Sequence, residues 1–422
     1  MDLFSRFRKD YINYLISIIV PTIITAVSIP LFKQLLGSKG YGNFSITFNT
    51  VLLCTATLTG WVSQSVIRFM PASNNKSSFV QQSVILSAIT QAIFFVPVFL
   101  IVWYLKADVL MALFFSITLF VTSLQFSVLA ISQTVFLSKK SIFSELIRTV
   151  SYITVALILL KYSNLHYMYA LFISIILSYL LSFLYLRNQI QKLLQSEAEN
   201  NAEAELLQPL FKKFIAYGGP LSLWFVFAYL ITLTDKYFIL QMAGAEVQGN
   251  YQAMFDLLYK SISVIVSPVI ISMFPLLTTA YQKGETEKIK KLLFTILGFE
   301  LLGMLLACGG YWWFGADILF HIIKIPVTFQ YKLMGLVVIA GTFMWLMAMV
   351  VHKRYELRLK SNFLLLMIII AFASQLLLYV FCSGSKNILL YPIGYALSSV
   401  VYLFLVSVSF IYSKSKFTLS NK

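Results

Sequence analysis

The chain has 422 residues, 59% hydrophobic and 11% charged, with a mean hydropathy of +0.84, where a soluble domain carries roughly 25% charged residues. These figures exclude a soluble enzyme, a disulfide-stapled secreted domain and a disordered chain. At about 20 residues per crossing, the apolar pool fills about twelve bilayer spans. In chain order, apolar runs between short polar breaks lie at about 11–32, 43–67, 79–105, 108–137, 141–160 and 165–187. A second set lies at about 214–234, 251–280, 292–319, 332–351, 361–381 and 388–411. Their length excludes a porin-type barrel of alternating ten-residue strands. The first run follows Arg6, Arg8 and Lys9 like a signal peptide, but no small-x-small cleavage site follows before Lys33, so it reads as a retained helix. Cys54, Cys308 and Cys382 sit in separate apolar runs and read as small hydrophobes rather than a disulfide framework.

The net charge of +16 comes from 32 Lys+Arg against 16 Asp+Glu. In a membrane chain it points to basic cytoplasmic loops rather than to a nucleic-acid partner. With the N-terminus inside, 22 of these cations fall in inner loops, among them Arg68, Lys139, Lys140, Arg187, Lys353 and Arg354. Eight fall outside, including Lys33 and Lys236, and Arg148 and Lys260 lie within spans. The asymmetry places both termini in the cytoplasm.

The hydrophilic stretch 188–213, with Glu197, Glu199, Glu203 and Glu205, divides the chain into a bundle over 1–190, a linker over 191–212 and a bundle over 213–422. The linker reads equally as an interfacial amphipathic helix or a plain solvated connection. The halves repeat. Gly37–Phe44 and Gly244–Tyr251 both spell Gly-x-x-x-x-Gly-Asn-aromatic, offset by 207; Arg68-Phe69-Met70-Pro71 echoes Ser272-Met273-Phe274-Pro275; and Lys139-Lys140 echoes Lys353-Arg354. Six spans per repeat is even, so the fold expected is an all-α integral membrane protein. Its two six-helix bundles would be related by a pseudo-twofold along the membrane normal, with a substrate path between them.

Tyr217-Gly218-Gly219-Pro220, Thr234-Asp235-Lys236, the Gly244–Tyr251 stretch, the Leu-Gly-x-x-x-Tyr-Gly turn at 36–42 and the basic pair at 139–140 resemble the bacterial oligosaccharide (O-antigen repeat-unit, Wzx-type) flippases. These belong to the superfamily of multidrug, oligosaccharidyl-lipid and polysaccharide exporters. The resemblance implies movement of an undecaprenyl-pyrophosphate-linked oligosaccharide, an O-antigen or capsule precursor, across the bacterial cytoplasmic membrane. It also implies a polysaccharide polymerase and chain-length proteins as partners and H+ or Na+ as a coupling cation, with no cofactor. Family members often carry Asp-Arg where this chain has Asp235-Lys236, which loses a bidentate fork.

The residues themselves show no P-loop; Gly37-Ser38-Lys39-Gly40 reads as a reverse turn. His166, His321 and His352 are scattered at loop edges and read as interfacial side chains, so no enzymatic chemistry has a visible carrier. The informative residues are charges in apolar surroundings, each costing about 2.5–3.5 kcal/mol at the bilayer centre unless partnered or wet. Asp256 and Lys260 share a helical face, Glu145 and Arg148 are three apart, and Glu300 has no charged sequence neighbour. Lys260, Arg148 and Arg68 are candidate pyrophosphate contacts, with Tyr259 a sugar-stacking face; Asp256, Glu300 and Glu145 are candidate ion-coupling groups. Intrahelical pairs near the interfaces are the alternative for the charges. Belt or packing positions are the alternative for Tyr259, Tyr251, Trp61 and Trp224. Pro21 and Pro220, in the first span of each half, suit bending helices or static kinks alike.

Three functions remain. The first is a flippase working by alternating access through a cationic cavity, the second a cation-coupled multidrug or organic-cation exporter, and the third a membrane-embedded glycosyl transferase or polymerase. The short outer loops weigh against the last. An inside-negative potential is worth about 2.3 kcal/mol per charge per 100 mV and favours outward movement of an anionic headgroup.

Overall fold

Hydrocarbon offers no hydrogen bonds to backbone amides, so a chain this apolar must satisfy them within helices. In a computed structural model, the residues described are 3–412 apart from 71, 72, 74, 136, 198–206, 283, 359, 383, 384 and 386, and none of them forms a strand. The helices are α1 (Leu3–Phe69), α2 (Lys76–Lys106), α3 (Val109–Thr134), α4 (Ser138–Tyr162), α5 (Tyr167–Glu197) and α6 (Leu207–Gln282). Then come α7 (Thr286–Gly310), running through a π-helical turn (Tyr311–Gly315) into α8 (Ala316–Ile323), followed by α9 (Phe329–Leu357), α10 (Ser361–Phe381) and α11 (Leu390–Tyr412). Among the described residues, ten stretches are apolar and long enough to cross a membrane.

Two of those ten hold two crossings each, because α1 is broken at Gly37 (φ 69°, ψ 168°) and α6 at Gly244 (φ 84°, ψ 170°). Each arm exceeds the roughly 20 residues of one span, which gives the twelve expected crossings. The reverse turn read at 37–40 is corrected: one glycine breaks the helix, and residue 38 is helical again. Both glycines occupy a region of backbone space that is essentially closed to other residues. Their shared conformation, 207 residues apart, is the structural counterpart of the sequence repeat.

The chain packs as two compact units, Met1–Asn43 with Leu230–Lys422, and Phe44–Tyr229. These boundaries lie inside α1 and α6, whereas the sequence reading divides the chain at the 191–212 linker, whose acidic centre falls outside the described residues. The first unit includes residues 1–43 because the two repeat motifs meet there. A Cβ on Gly249 would land on the Ser38 carbonyl oxygen, and one on Gly42 would collide with Gln248 and the Gly249 backbone. Ser38 donates to Asn250 at 2.8 Å beside this crossing. Small residues allow such close approach in lipid, where apolar burial drives little.

Lys33 and Lys236, read above as outer-loop cations, are instead buried in α1 and α6, at 4% and 3% exposure. Lys33 donates to the carbonyls of Ile323 (2.6 Å) and Lys324 (2.9 Å), the C-terminus of α8, where unpaired carbonyls and the helix dipole favour a cation.

The second unit is joined by hydroxyls and amides. Thr55 meets Thr122 at 2.9 Å, Ser87 meets Ser127 at 2.8 Å, and Gln125 and Ser144 each meet Ser182 at 2.7 Å. Ser65 bonds the Phe214 carbonyl at 3.1 Å, and Gly218 lies against the Trp61 carbonyl. This contact gives the Tyr-Gly-Gly-Pro motif a packing role. At one end, Asp108 caps α3 through the Met111 amide (3.0 Å) and accepts the Tyr169 hydroxyl at 2.6 Å.

Alanine at position 37 or 244 meets no neighbouring atom, so its cost is purely conformational. Each substitution is expected to lose about 1–3 kcal/mol, read as a lower melting temperature of the solubilised protein. Gly298→Ala, in open space within regular helix, is expected to be neutral or to gain about 0.5–1 kcal/mol.

The Tyr169 hydroxyl, and after it the Met111 amide, hold the Asp108 carboxyl below its ordinary range. A carboxyl lowered in the folded state stabilises fully above its unfolded value and loses that contribution as pH falls through the folded one. Asp108→Asn should therefore melt earlier than wild type at neutral pH. A pH series should show the difference shrinking below about pH 4.

Candidate functional site

The densest group of buried polar side chains in the first unit lies where the two arms of α6 meet α1, α10 and α11. Asp235, fully buried, accepts the Tyr251 hydroxyl and the Lys236 amide (2.8 Å). The Lys236 ammonium lies 3.8 Å from the centre of the Phe255 ring and donates to the Thr232 carbonyl, which combines a cation–π contact with a hydrogen bond away from water. Asp256, one turn beyond Gln252, accepts from Gln252 (2.8 Å) and from the Tyr41 hydroxyl (2.9 Å). Gln375 donates to Ile231 O (3.1 Å) and to Tyr379 (2.9 Å), and Tyr379 donates in turn to Tyr391 O (2.7 Å). The side-chain oxygens of Gln248, Gln252 and Gln375 remain unsatisfied among the described residues, unusual for buried amides.

The structure brings Asp256, Tyr259 and Lys260 together on this second arm. Tyr259 stacks on Phe255 with ring centres 5.8 Å apart, and Lys260 is half-buried one turn beyond Asp256. Glu300, in α7 of the same unit, is 1% exposed, and both its oxygens lack a partner among the described residues. Arg68, Glu145 and Arg148 belong to the second unit. Arg68 is exposed at the end of α1. Arg148 grips Glu145 through Nε (2.9 Å) and Nη2 (2.7 Å) and covers the Tyr179 ring at 5.0 Å. The intrahelical pair open in the sequence is thus formed. Trp224 is buried and Trp61 packs edge-on against Phe211 and Phe214, so both serve packing. Pro220 sits within continuous helix, and the Pro21 side chain lies outside the described residues.

Sequence reasoning missed three partnerships. Asp235, read as part of a motif, and Tyr251, read as a ring face or packing position, were not joined because their bond spans the Gly244 break; the signal was an acid inside the apolar stretch 228–240. Tyr41 escaped because its partner lies 215 positions on. His352, expected at an interface, is corrected: it is 1% exposed, with Nδ1 at 2.6 Å from the Tyr402 hydroxyl and Nε2 at 2.8 Å from Glu356, which Lys353 also binds at 2.8 Å. The i, i+4 spacing of His352 and Glu356 was the available clue.

A double-mutant cycle of Tyr41→Phe and Asp256→Asn should give a coupling of about 0.6–1.7 kcal/mol, the range for hydrogen bonds between membrane helices. Additive losses in melting experiments would show that the pair does not join α1 to α6.

The sequence profile of the family described as Polysaccharide biosynthesis protein (Polysacc_synt) matches residues 7–280, more than half of the chain. No protein of curated function matches it. Among solved structures, a mutant of the Vibrio cholerae MATE transporter VcmN superposes with a TM-score of 0.75 at 12% identity, over 96% of this chain and 97% of that one. An outward-facing multidrug resistance MATE family transporter of the MOP superfamily gives 0.73 at 11% identity, covering 96% and 95%. A MOP superfamily transporter from Pyrococcus furiosus gives 0.71 at 12% identity, covering 93% and 94%. These likenesses show the fold, that of twelve-span MATE-type transporters. The chain is a multi-pass membrane protein with this fold, and it belongs to the polysaccharide biosynthesis protein family.

Proposed function

We propose that the protein flips an undecaprenyl-pyrophosphate-linked oligosaccharide repeat unit from the cytoplasmic to the periplasmic leaflet of a bacterial inner membrane. It does so by alternating access, with both termini in the cytoplasm. The observation that carries this reading is a polysaccharide-biosynthesis family match on a chain with a transporter fold. A saccharide linked to a long isoprenoid needs a protein path for its polar head and none for its tail. Fixed cations within the spans supply what the diphosphate requires. Lys260 and Arg68 are its contacts, and Arg148 contributes less because Glu145 already occupies its fork. Tyr259 offers a ring face to the sugars beside Lys260.

Of the three carboxylates proposed for ion coupling, Asp256 accepts two hydrogen bonds and Glu145 is paired. Glu300 alone of the three has both oxygens unsatisfied among the described residues. A carboxylate so placed is expensive as an anion, and we assign it the coupling proton. The second reading, a cation-coupled multidrug exporter, draws on the buried Asp235 and the half-buried Asp256 of the first unit and on multidrug transporters among the fold's neighbours. Tyr251, Gln252 and Tyr41 already engage these acids, which favours the flippase.

Deleting the protein should cause lipid-linked repeat units to accumulate on the inner leaflet, as measured by glycan extraction. Lys260→Ala should lower export about ten- to a hundredfold at normal abundance, the loss of a charge-assisted contact worth about 1.5–3 kcal/mol. Glu300→Gln should remove the dependence of export on a pH gradient. Unchanged glycan export with altered sensitivity to cationic drugs would establish the second reading instead.

A further inference from the structure

The second unit carries a groove that no part of the proposed transport cycle uses. It lies between the first turns of α2, the last turns of α3 and the last turns of α5, with a cavity volume of about 460 Å³, within the range of small-molecule sites. Its lining changes character along the helices. Ser77 and Gln81 of α2 face Arg187 and Gln191 of α5 at the mouth, while Val84, Ile85, Val128, Ile131 and Phe183 form the wall further in. From Ser77 to Ile85 is about 12 Å along the helix. The separation matches that between a phospholipid headgroup, which the hydroxyl, amides and guanidinium would meet, and its upper acyl chain, which the branched and aromatic side chains would meet. Ile85 of the wall is more than a third exposed, as are Ile89 of α2 and Leu180 and Leu184 of α5 on the same helices.

We infer that this groove holds one anionic glycerophospholipid of the surrounding bilayer, its phosphate on Arg187 and one acyl chain along Val84, Val128 and Phe183. The charge of the site selects this occupant. One guanidinium with no protein partner among the described residues, flanked by neutral donors, matches a singly charged phosphodiester. A pyrophosphate, carrying two charges or more, would leave an uncompensated anion in the groove. Basic pockets between membrane helices recognise lipid headgroups by this chemistry. The site is independent of what the protein transports, so the flippase reading can fail while it stands.

The test uses the full-length protein in detergent with phosphatidylglycerol or phosphatidylcholine added, read by native mass spectrometry and by melting temperature. Wild type should retain phosphatidylglycerol and melt later with it, and phosphatidylcholine should do neither. Arg187→Gln, an exposed position unlinked to folding contacts, should reduce retention at least fivefold, and Arg187→Lys should restore part of it. Val84→Phe, which fills the wall, should reduce retention with the headgroup contacts intact. Equal retention of both lipids, or undiminished retention by Arg187→Gln, would overturn the inference. Stoichiometric displacement of phosphatidylglycerol by a polyprenyl pyrophosphate would also overturn it, because the groove would then belong to the transported lipid.

Discussion

In hydrocarbon, a polar group that loses its protein partner has no water to replace it, and this fixes where each charge in the spans can sit. Lys33 rests on the last carbonyls of α8, Lys236 lies over Phe255 and on Thr232, Asp235 is held by Tyr251, and Arg148 closes on Glu145. The first three of these contacts bridge separate helices or separate arms of one helix. The cost of an unpartnered ion, several kcal/mol even after relaxation, therefore specifies which helices become neighbours. Ordinary apolar burial does not, since lipid tails are as apolar as leucine.

The two units meet this constraint differently. The second uses short hydroxyls and one glutamine, whose individual bonds are weak in membranes, about 0.6 kcal/mol on average. Its cohesion comes from the close approach that serine, threonine and glycine permit, as at Thr55–Thr122 and at Gly218 against Trp61. The first unit concentrates ions and phenols: Asp235, Lys236, Asp256, Tyr41, Tyr251 and Tyr379. Fewer, stronger and more directional contacts make that unit the natural home for chemistry that senses charge.

Much of this architecture was legible in the sequence because a membrane imposes a length on every span, so apolar runs and glycine signatures mark the crossings with little ambiguity. The repeat at Gly37 and Gly244 was visible as a motif, but its cause was not. Only backbone angles show that one glycine, rather than a four-residue turn, divides each long helix. The site was half legible. Asp256, Lys260 and Glu300 stood out as charges among apolar residues, and the Glu145–Arg148 pair followed from helical spacing. Tyr41 and His352 did not stand out, and Asp235 did so only as part of a motif, because what makes them notable is a partner on another helix or another arm. Lys33 and Lys236 were misplaced for a related reason: a lysine near a run's end looks like a loop residue until a carbonyl or an aromatic ring is found around its ammonium.

The partners of Lys33 lie 290 and 291 residues further along the chain. At about 5–20 residues per second of synthesis, the first helix waits roughly 15–60 seconds for the α8 carbonyls that will receive its ammonium. During that interval a lysine is held at the membrane with no native counterpart, and residues 1–43 have nowhere in their own unit to dock. Docking of residues 1–43 is therefore late in synthesis, since it waits for residues beyond 320. A segment made early is thus among the last to find its neighbours.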